Sequence, residues 1–458
     1  MDLDNRLKDR LVGYLRAELP KVRMNKVVQA IDYSDVFALD KGFSALLQKA
    51  NKEVREQVEY YVGERPLVAL VLGEFSREIE QMLPQDVSGR ATLCDIPQYS
   101  NVEALANRIV EMLAALPRKY VVALELPVSW AKVLYTREIP PILGRQLAVV
   151  GSWHDASKEF PIPGIERSAT SIFNNIFAKS TWSAPSEARG PDSPRCFLYV
   201  RLEGLVDSVF SPQPTHRFTN LVKAFFGLAM GIDLLLPTIS LGAGALRYDV
   251  YEEREGAFGK VEDGLLDDGT RALASKLRIN HAESKNISAD FQKVIQILDA
   301  DPELPQLALG GRWYFDSFAN SDEVMGFMQL AICAETLLGT DDGADGVTGI
   351  LASRCGYLIA TSAKERDDLV SEFRSIYKVR SKIVHRGLGA LKESERQQLR
   401  RLRVICSRIL QKEVDLAIAD LPDPEKWKDL HQTIDKFAAA IKGLPLLPSF
   451  ESGSSTGS

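Results

Sequence analysis

An arginine and a histidine lie five residues apart near the end of one predicted helix, and together they could cut RNA without a metal ion. Arg380 and His385 belong to the run Tyr377 to Gly387, which is Tyr-Lys-Val-Arg-Ser-Lys-Ile-Val-His-Arg-Gly. Arginine stays protonated and can stabilise the negative charge of a phosphorane-like transition state. Histidine can move protons near neutral pH, from an attacking 2′-hydroxyl or to a leaving 5′-oxygen. Chance alone can produce this spacing in a chain of this length, so the surrounding residues decide its meaning.

The apolar residues around this pair recur at intervals of three and four, which predicts a helix with one buried stripe over residues 367–385. The stripe consists of Leu369, Val370, Phe373, Ile376, Tyr377, Ile383 and Val384. Arg380 falls on this stripe, where a guanidinium is costly unless a partner or a half-buried cleft satisfies it. A second line on the helix forms a basic face, with Arg374, Lys378, Ser381 and His385, flanked by Lys382. Gly387 is expected to end the helix, because glycine accepts the left-handed conformation found there.

Three further helices are predicted around this one, and short connections are typical of an antiparallel four-helix bundle. They cover Val324–Leu338, Ile350–Thr361 and Glu393–Ala419. Taken in order, their motifs resemble those of the ApeA-like branch of the HEPN superfamily. The motifs are Glu-Thr-Leu-Leu from Glu335, Ser-Arg-Cys-Gly-Tyr-Leu-Ile from Ser353, and Tyr-x-x-Arg-Ser-x-Ile-Val-His-x-Gly from Tyr377. The resemblance covers residues 288–442, about a third of the chain.

The resemblance implies an HEPN-type antiparallel four-helix bundle that acts as a metal-independent endoribonuclease. Arg380 and His385 would be its catalytic residues, and Ser381 would hold a phosphate or orient the motif. Glu335 and Arg354 match polar positions of the other helices and would form a supporting pair that does no chemistry. The cations near the motif would bind RNA, and these are Arg374, Lys378, Lys382 and Arg386.

The family also implies partners and a biological setting. Two copies pair through the bundle, so that two Arg–His motifs meet in one cleft. The substrate would be RNA, with tRNA among the candidates. The setting would be bacterial anti-phage defence or a regulated toxin, with a phage-derived or protein trigger acting on the N-terminal region.

Ordinary structural roles for the same residues stay open. Arg380 could pair with Glu335 and lock the bundle, since buried arginines are usually paired. His385 could be a helix-end cation stabilised by the helix dipole, and the basic face could be a solvated surface. At the level of the whole protein, the alternative is a catalytically silent HEPN scaffold that binds RNA or a protein partner. The intact Arg–His pair favours the ribonuclease.

Length and composition predict a globular protein of two or three domains. The chain has 458 residues, of which 45% are hydrophobic and 26% are charged, with a net charge of −6. This charge argues against a general nucleic-acid coat protein, so contact with RNA requires a local basic patch. The five scattered cysteines lack Cys-x-x-Cys spacing, which indicates reduced thiols in the cytoplasm and no zinc site. The longest apolar run, Ala224–Leu236, is too short to span a bilayer and predicts a core helix.

Other motifs predict no competing chemistry, and we expect no cofactor and no metal. Thr340–Thr348 superficially resembles a calcium loop, but it lacks two of the required oxygen ligands and predicts a turn. Gly256–Lys260 is too short for a phosphate-binding P-loop. Arg312, Trp313 and Tyr314 could stack a base, although aromatic residues that lead into a bundle more often belong to its core.

The fold class predicted for the whole chain is mainly α with an α+β N-terminal part. Residues 1–118 are predicted to be mostly helical, and 119–285 an α+β region with a sensor or regulatory role. The HEPN bundle would occupy 286–445, and 446–458 would be a flexible tail. Within the α+β region, strands are predicted at Val121–Leu126, Gln146–Val150, Phe197–Val206 and Leu246–Glu252, a long helix at Thr215–Leu236 and a long loop at Phe160–Arg195.

Overall fold

A computed structural model of the chain shows a mostly helical protein with an antiparallel sheet, which confirms the coarse fold prediction. The residues that the structure describes are 1–25, 30–82, 87–154, 160, 194–206, 212–238, 246–280, 286–300, 304–339 and 347–420. The predicted tail, most of the predicted long loop and most of the predicted Gly/Asp-rich turn lie outside these residues.

The first 116 residues form a helical unit with its own core. Its elements are α1 (Asn5–Glu18), β1 (Met24–Asn25), β2 (Ala30–Ile31), α2 (Tyr33–Leu47), α3 (Lys52–Tyr61), α4 (Pro66–Leu70), the π-helical turn Val71–Phe75, α5 (Ser76–Gln81) and α6 (Val102–Ala114). α2 and α3 are separate helices, because Asn51 accepts the N–H of Val54 at 2.8 Å and caps the start of α3. Leu205 is the one residue of this core that comes from a later part of the described chain.

A six-stranded antiparallel sheet follows, and one of its faces packs against helices. The elements are β3 (Arg118–Glu125), α7 (Val128–Thr136), β4 (Ile142–Leu143), β5 (Leu147–Gly151), β6 (Cys196–Gly204), α8 (Pro212–Gly231), β7 (Leu235–Pro237), β8 (Arg247–Arg254), β9 (Ala257–Leu265), α9 (Asp268–Ala274) and β10 (Leu277–Ile279). The strand order is β4-β5-β6-β3-β8-β9, and β7 pairs with β10 separately. Because side chains alternate along a strand, Val122 and Leu124 enter the main core, whereas Val121 and Ala123 lie on the opposite face.

The four predicted strands are confirmed, but the long helix ends earlier than predicted. It stops at Gly231, and Leu235–Pro237 is a strand paired with β10. Asp233, between the helix and this strand, has a φ of 59°, a left-handed conformation that a continuing right-handed helix excludes. The predicted core position of this apolar run is confirmed, since Phe225 and Phe226 are fully buried.

The rest of the described chain is helical and includes all four helices predicted for the bundle. The helices are α10 (Ile287–Asp299), α11 (Pro305–Ala319), α12 (Glu323–Leu338), α13 (Val347–Ile359), α14 (Ala363–Arg386) and α15 (Glu393–Asp420). α14 and α15 run antiparallel, because Glu365 contacts Arg408 and Glu372 contacts Arg401. Among the described helices, none combines the length and apolar composition that a bilayer crossing requires.

The main core is continuous from the sheet into these helices. It extends from Tyr120 to Ala417, so residues of the α+β region and of the C-terminal helices share it. α8 and α11 approach so closely that a Cβ on Gly227 would clash with the backbone carbonyl of Gly311. Tyr314 is buried in this core and Trp313 is half-buried against it, which is the core role considered for these aromatic residues.

Candidate functional site

Caps at both ends define α14, the helix that carries the Arg–His pair. Ser362 accepts the N–H of Glu365 at 3.2 Å, and the Glu365 carboxylate accepts the N–H and hydroxyl of Thr361 at 2.8 and 2.6 Å. The hydrogen bonds from Thr361, together with the Arg408 guanidinium, lower the pKa of Glu365 to about 2. At the other end, Gly387 adopts a φ of 61° and its N–H bonds to the Ile383 carbonyl at 3.2 Å. The predicted helix stop is confirmed, and His385 lies in the last turn.

The buried stripe of α14 differs from the prediction at its C-terminal end. Val384, predicted to be part of the stripe, is 47% exposed, so this assignment is wrong. Tyr377 and Arg380 contact α12, and Val384 lies one turn further on. Val379, which was not assigned to the stripe, is buried.

Arg380 occupies a half-buried edge between α12 and α14. Its Nε lies 3.3 Å from Oε1 of Glu335, and the two side chains are 31% and 29% exposed. The Nε–H is buried but makes no hydrogen bond of acceptable geometry. The terminal amino groups of Arg380 make no hydrogen bond with the described residues. Glu335 therefore holds one edge of the guanidinium by charge and leaves the terminal amino groups open to an anion.

Tyr377 anchors this part of α14 to α12. Its hydroxyl donates to the Ala331 carbonyl at 3.3 Å, and its ring stacks on Phe373 with 4.7 Å between the ring centroids. Burial of the phenol raises the pKa of Tyr377 well above its ordinary value. A neutral, fixed tyrosine one turn before Arg380 limits how far the arginine backbone can move.

Arg354 contacts the same region from α13, but it does not pair with Glu335, so the predicted Glu335–Arg354 pair is not formed. Its buried guanidinium donates to the carbonyl of Leu338, the last residue of α12. A cation at a helix C-terminus satisfies an unpaired carbonyl and complements the helix dipole. Glu335 lies in the last turn of α12, so Arg354 holds the end of the helix that presents the carboxylate to Arg380.

His385 lies apart from Arg380 within one chain. Its side chain is exposed and makes no hydrogen bond with any residue in the described ranges. Five residues correspond to a rotation of about 140° around a helix axis. Arg380 therefore faces α12 while His385 faces solvent, and one copy of the helix does not direct both side chains at one point.

The four cations predicted to bind RNA fall into two groups. Arg374, Lys378 and Arg386 are exposed and form no ion pair within the described part of the chain. Lys382, in contrast, lies 3.5 Å from the carboxylate of Glu395, whose side chain is only 7% exposed. The Ser381 side chain is exposed beside Arg380 and makes no hydrogen bond with the described residues.

The sequence does not predict the role of Glu395 beside the site. Glu395 accepts the backbone N–H of Lys392 at 3.0 Å near the start of α15, so it ties together the connection that follows His385. Its pairing with Lys382 crosses a turn and has no fixed sequence spacing, so no short-range pattern could have indicated it.

The described residues contain no group of three or more His, Cys, Asp or Glu side chains arranged to hold a metal ion. A cavity of about 450 Å³ lies in the helical unit, between α2, α3 and the start of α4. Its charged lining residues are Lys52, Arg55, Glu56, Glu59 and Glu64. None of the residues of the Arg380 site lines this cavity.

Comparison with protein-family models, with curated proteins and with solved structures finds no match to this chain.

Proposed function

We propose that this chain is a metal-independent endoribonuclease of the HEPN type, with Arg380 and His385 as its catalytic residues. The observation that carries the proposal is the way Arg380 is held. A structural arginine between α14 and α15 is held differently: Arg401 donates from Nε and Nη2 to both oxygens of Glu372, at 2.7 and 2.8 Å. Arg380 meets Glu335 through Nε alone, without a directed hydrogen bond. This arrangement keeps a half-buried guanidinium available for a phosphate.

The proposed reaction is an internal transfer of the RNA phosphate. The ribose 2′-oxygen attacks the adjacent phosphorus, the bond from phosphorus to the 5′-oxygen breaks, and a 2′,3′-cyclic phosphate forms. Arg380 stabilises the charge that develops on the non-bridging oxygens, and His385 moves the proton from the 2′-hydroxyl or to the 5′-oxygen. Ser381 is exposed next to Arg380 and is suited to bind the same phosphate.

A second copy of the chain completes the site in this proposal. Since Arg380 and His385 lie about 140° apart on one helix, we infer a homodimer in which two α14 ends face each other. Val384, an apolar side chain that is 47% exposed immediately before His385, would be covered by the partner copy in this dimer.

The biological setting of the proposal rests on the family resemblance. The RNA substrate would be cut in bacterial anti-phage defence or as part of a regulated toxin, with tRNA among the candidate substrates. Residues 1–285 would respond to a phage-derived or protein trigger.

Cleavage of RNA in the presence of EDTA tests the proposal. Purified wild-type protein is incubated with tRNA and with total RNA, beside Arg380→Ala and His385→Ala. Arg401→Ala serves as the matched control, because it removes an arginine that is engaged structurally. We expect wild type and the control to cut and the two site variants to be inactive. Equal cleavage by all four proteins would overturn the assignment of residues, and wild-type protein that binds RNA without cutting it would favour a silent scaffold.

A further inference from the structure

The exposed side of α14 carries a line of cations of limited length. Arg374, Lys378 and His385 lie within about 40° of one another around the helix axis, over a distance of about 16 Å. Two serines on the same side, Ser371 and Ser381, are also exposed. Hydroxyls of this kind can donate to phosphate oxygens, so the line contains only groups that suit a phosphodiester chain.

An acidic residue closes this line at its N-terminal end. Asp367 lies on the same side of the helix, about 10 Å before Arg374. Its side chain is 79% exposed and lies 3.7 Å from Nε of Arg366, so this pair adds no net positive charge to the line. At the other end, the helix stops at Gly387.

The cations near this line differ in whether a carboxylate already pairs with them, and this decides which of them can readily bind a phosphate. On the adjacent helix α15, arginines are engaged by carboxylates, as in Arg396 with Glu323 at 2.7 Å and Arg400 with Glu393 at 2.8 Å. Lys382 is similarly engaged by Glu395. Arg374 and Lys378 have no such partner in the described part of the chain. Binding a phosphate to them therefore breaks no existing ion pair.

We propose that Arg374 and Lys378 form a phosphate-binding track that positions the RNA strand on one side of His385, and that Lys382 is not part of it. The inference rests on the proposed function. It adds which cations provide the affinity for RNA and how far along α14 the RNA strand makes contact. No aromatic side chain of α14 is exposed along the track, since Phe373 and Tyr377 are both buried. The track therefore contacts the sugar–phosphate backbone and does not select bases.

Salt-dependent binding of a non-cleavable strand tests the track independently of catalysis. The probe is a fluorescein-labelled 2′-O-methyl octauridylate, which lacks the attacking hydroxyl, and its anisotropy is measured between 50 and 200 mM salt. Each phosphate contact on a single strand contributes about 0.7 to the slope of log K against log salt. Arg374→Gln and Lys378→Gln should each reduce the slope by about that amount. Lys382→Gln, the matched control on the same helix, should leave it unchanged.

A gain-of-contact variant keeps the test decisive if a loss variant fails to fold. Ser371→Lys adds a cation to the track beside Arg374 and should increase the slope by about 0.7. Equal slopes for wild type, Arg374→Gln and Lys378→Gln would overturn the inference, as would a loss in Lys382→Gln as large as in Lys378→Gln. A protein that shows the expected slopes but cuts no RNA would keep the track and reject only the proposed reaction.

Discussion

Replacing Glu335 tests whether Arg380 is oriented for catalysis or only links two helices. In Glu335→Gln the side chain keeps its size and can still accept a hydrogen bond, but the charge that faces Arg380 is lost. The arginine stays protonated, so the expected defect is one of orientation. We expect cleavage by Glu335→Gln to be slower by about tenfold, which is about 1.4 kcal/mol in the activation free energy. Arg380→Gln, which removes a donor to the transition state, should cost 10²- to 10³-fold, or about 3 to 4 kcal/mol.

The stability effect of the same pair follows from its geometry. Exposed ion pairs contribute about 0.2–1 kcal/mol to the free energy of unfolding, whereas breaking a buried pair costs about 3–5 kcal/mol. Glu335 and Arg380 are both nearly a third exposed and their 3.3 Å contact lacks a directed hydrogen bond. We therefore expect a coupling energy of about 1 kcal/mol, near the exposed end of this range.

A double-mutant cycle with two readouts tests both the expected loss of cleavage rate and the expected coupling energy. Urea unfolding and RNA cleavage are measured for wild type, Glu335→Gln, Arg380→Gln and the double variant. Since Glu335 acts through Arg380, the double variant should cut no more slowly than Arg380→Gln alone. Glu372→Gln is the matched control, because it breaks the bidentate pair with Arg401 and should lower stability while leaving cleavage unchanged. The reasoning is refuted if Glu335→Gln cuts at the wild-type rate, or if the effects of the two single variants on cleavage are additive.

Three further predictions concern stability. Burial raises the pKa of the Asp40 carboxyl above its ordinary value of 3.8, although the N–H groups of Leu67 and Val68 donate to it. The folded state therefore holds this proton more tightly, and the free energy of unfolding of wild type should fall as pH rises through the raised pKa. In Asp40→Asn this decrease in the urea midpoint with pH should vanish. An unchanged pH dependence would contradict the assignment of the decrease to Asp40. The pKa of Glu365 is lowered from 4.5 to about 2, so its contribution to the free energy of unfolding is present above pH 4.5 and is lost as pH falls toward 2. In thermal melts, Glu365→Gln should show a smaller loss of stability than wild type over this acidic range. Gly387→Ala should lower the free energy of unfolding by about 1 kcal/mol, because alanine resists a φ of 61°; an unchanged urea midpoint would show that this backbone position relaxes freely.

Much of α14 could be predicted from its sequence because its signals are local. The three-and-four spacing places Phe373 and Tyr377 on the buried side, and a glycine that stops the helix needs only its own backbone freedom. The alternation of apolar residues likewise predicts the central strands, where each residue has a defined face.

The features that sequence could not predict depend on contacts between distant residues. Val384 fits the periodic stripe, yet it is exposed, because the spacing of apolar residues does not show how much of a helix its neighbours cover. Lys382 carries the same charge as Lys378, and only the three-dimensional position of Glu395 distinguishes the two. The early end of α8 has the same kind of cause, because the residues that follow it pair with β10.

End-group analysis of the RNA products tests the central claim most directly. RNA is cut by wild-type protein in EDTA, and the 3′ ends of the products are identified by mass spectrometry beside reactions with Arg380→Ala and His385→Ala. Internal attack by the 2′-oxygen predicts 2′,3′-cyclic phosphate ends from wild type and none above background from either variant. Products with 3′-hydroxyl ends, or cleavage that requires an added metal ion, would contradict the account.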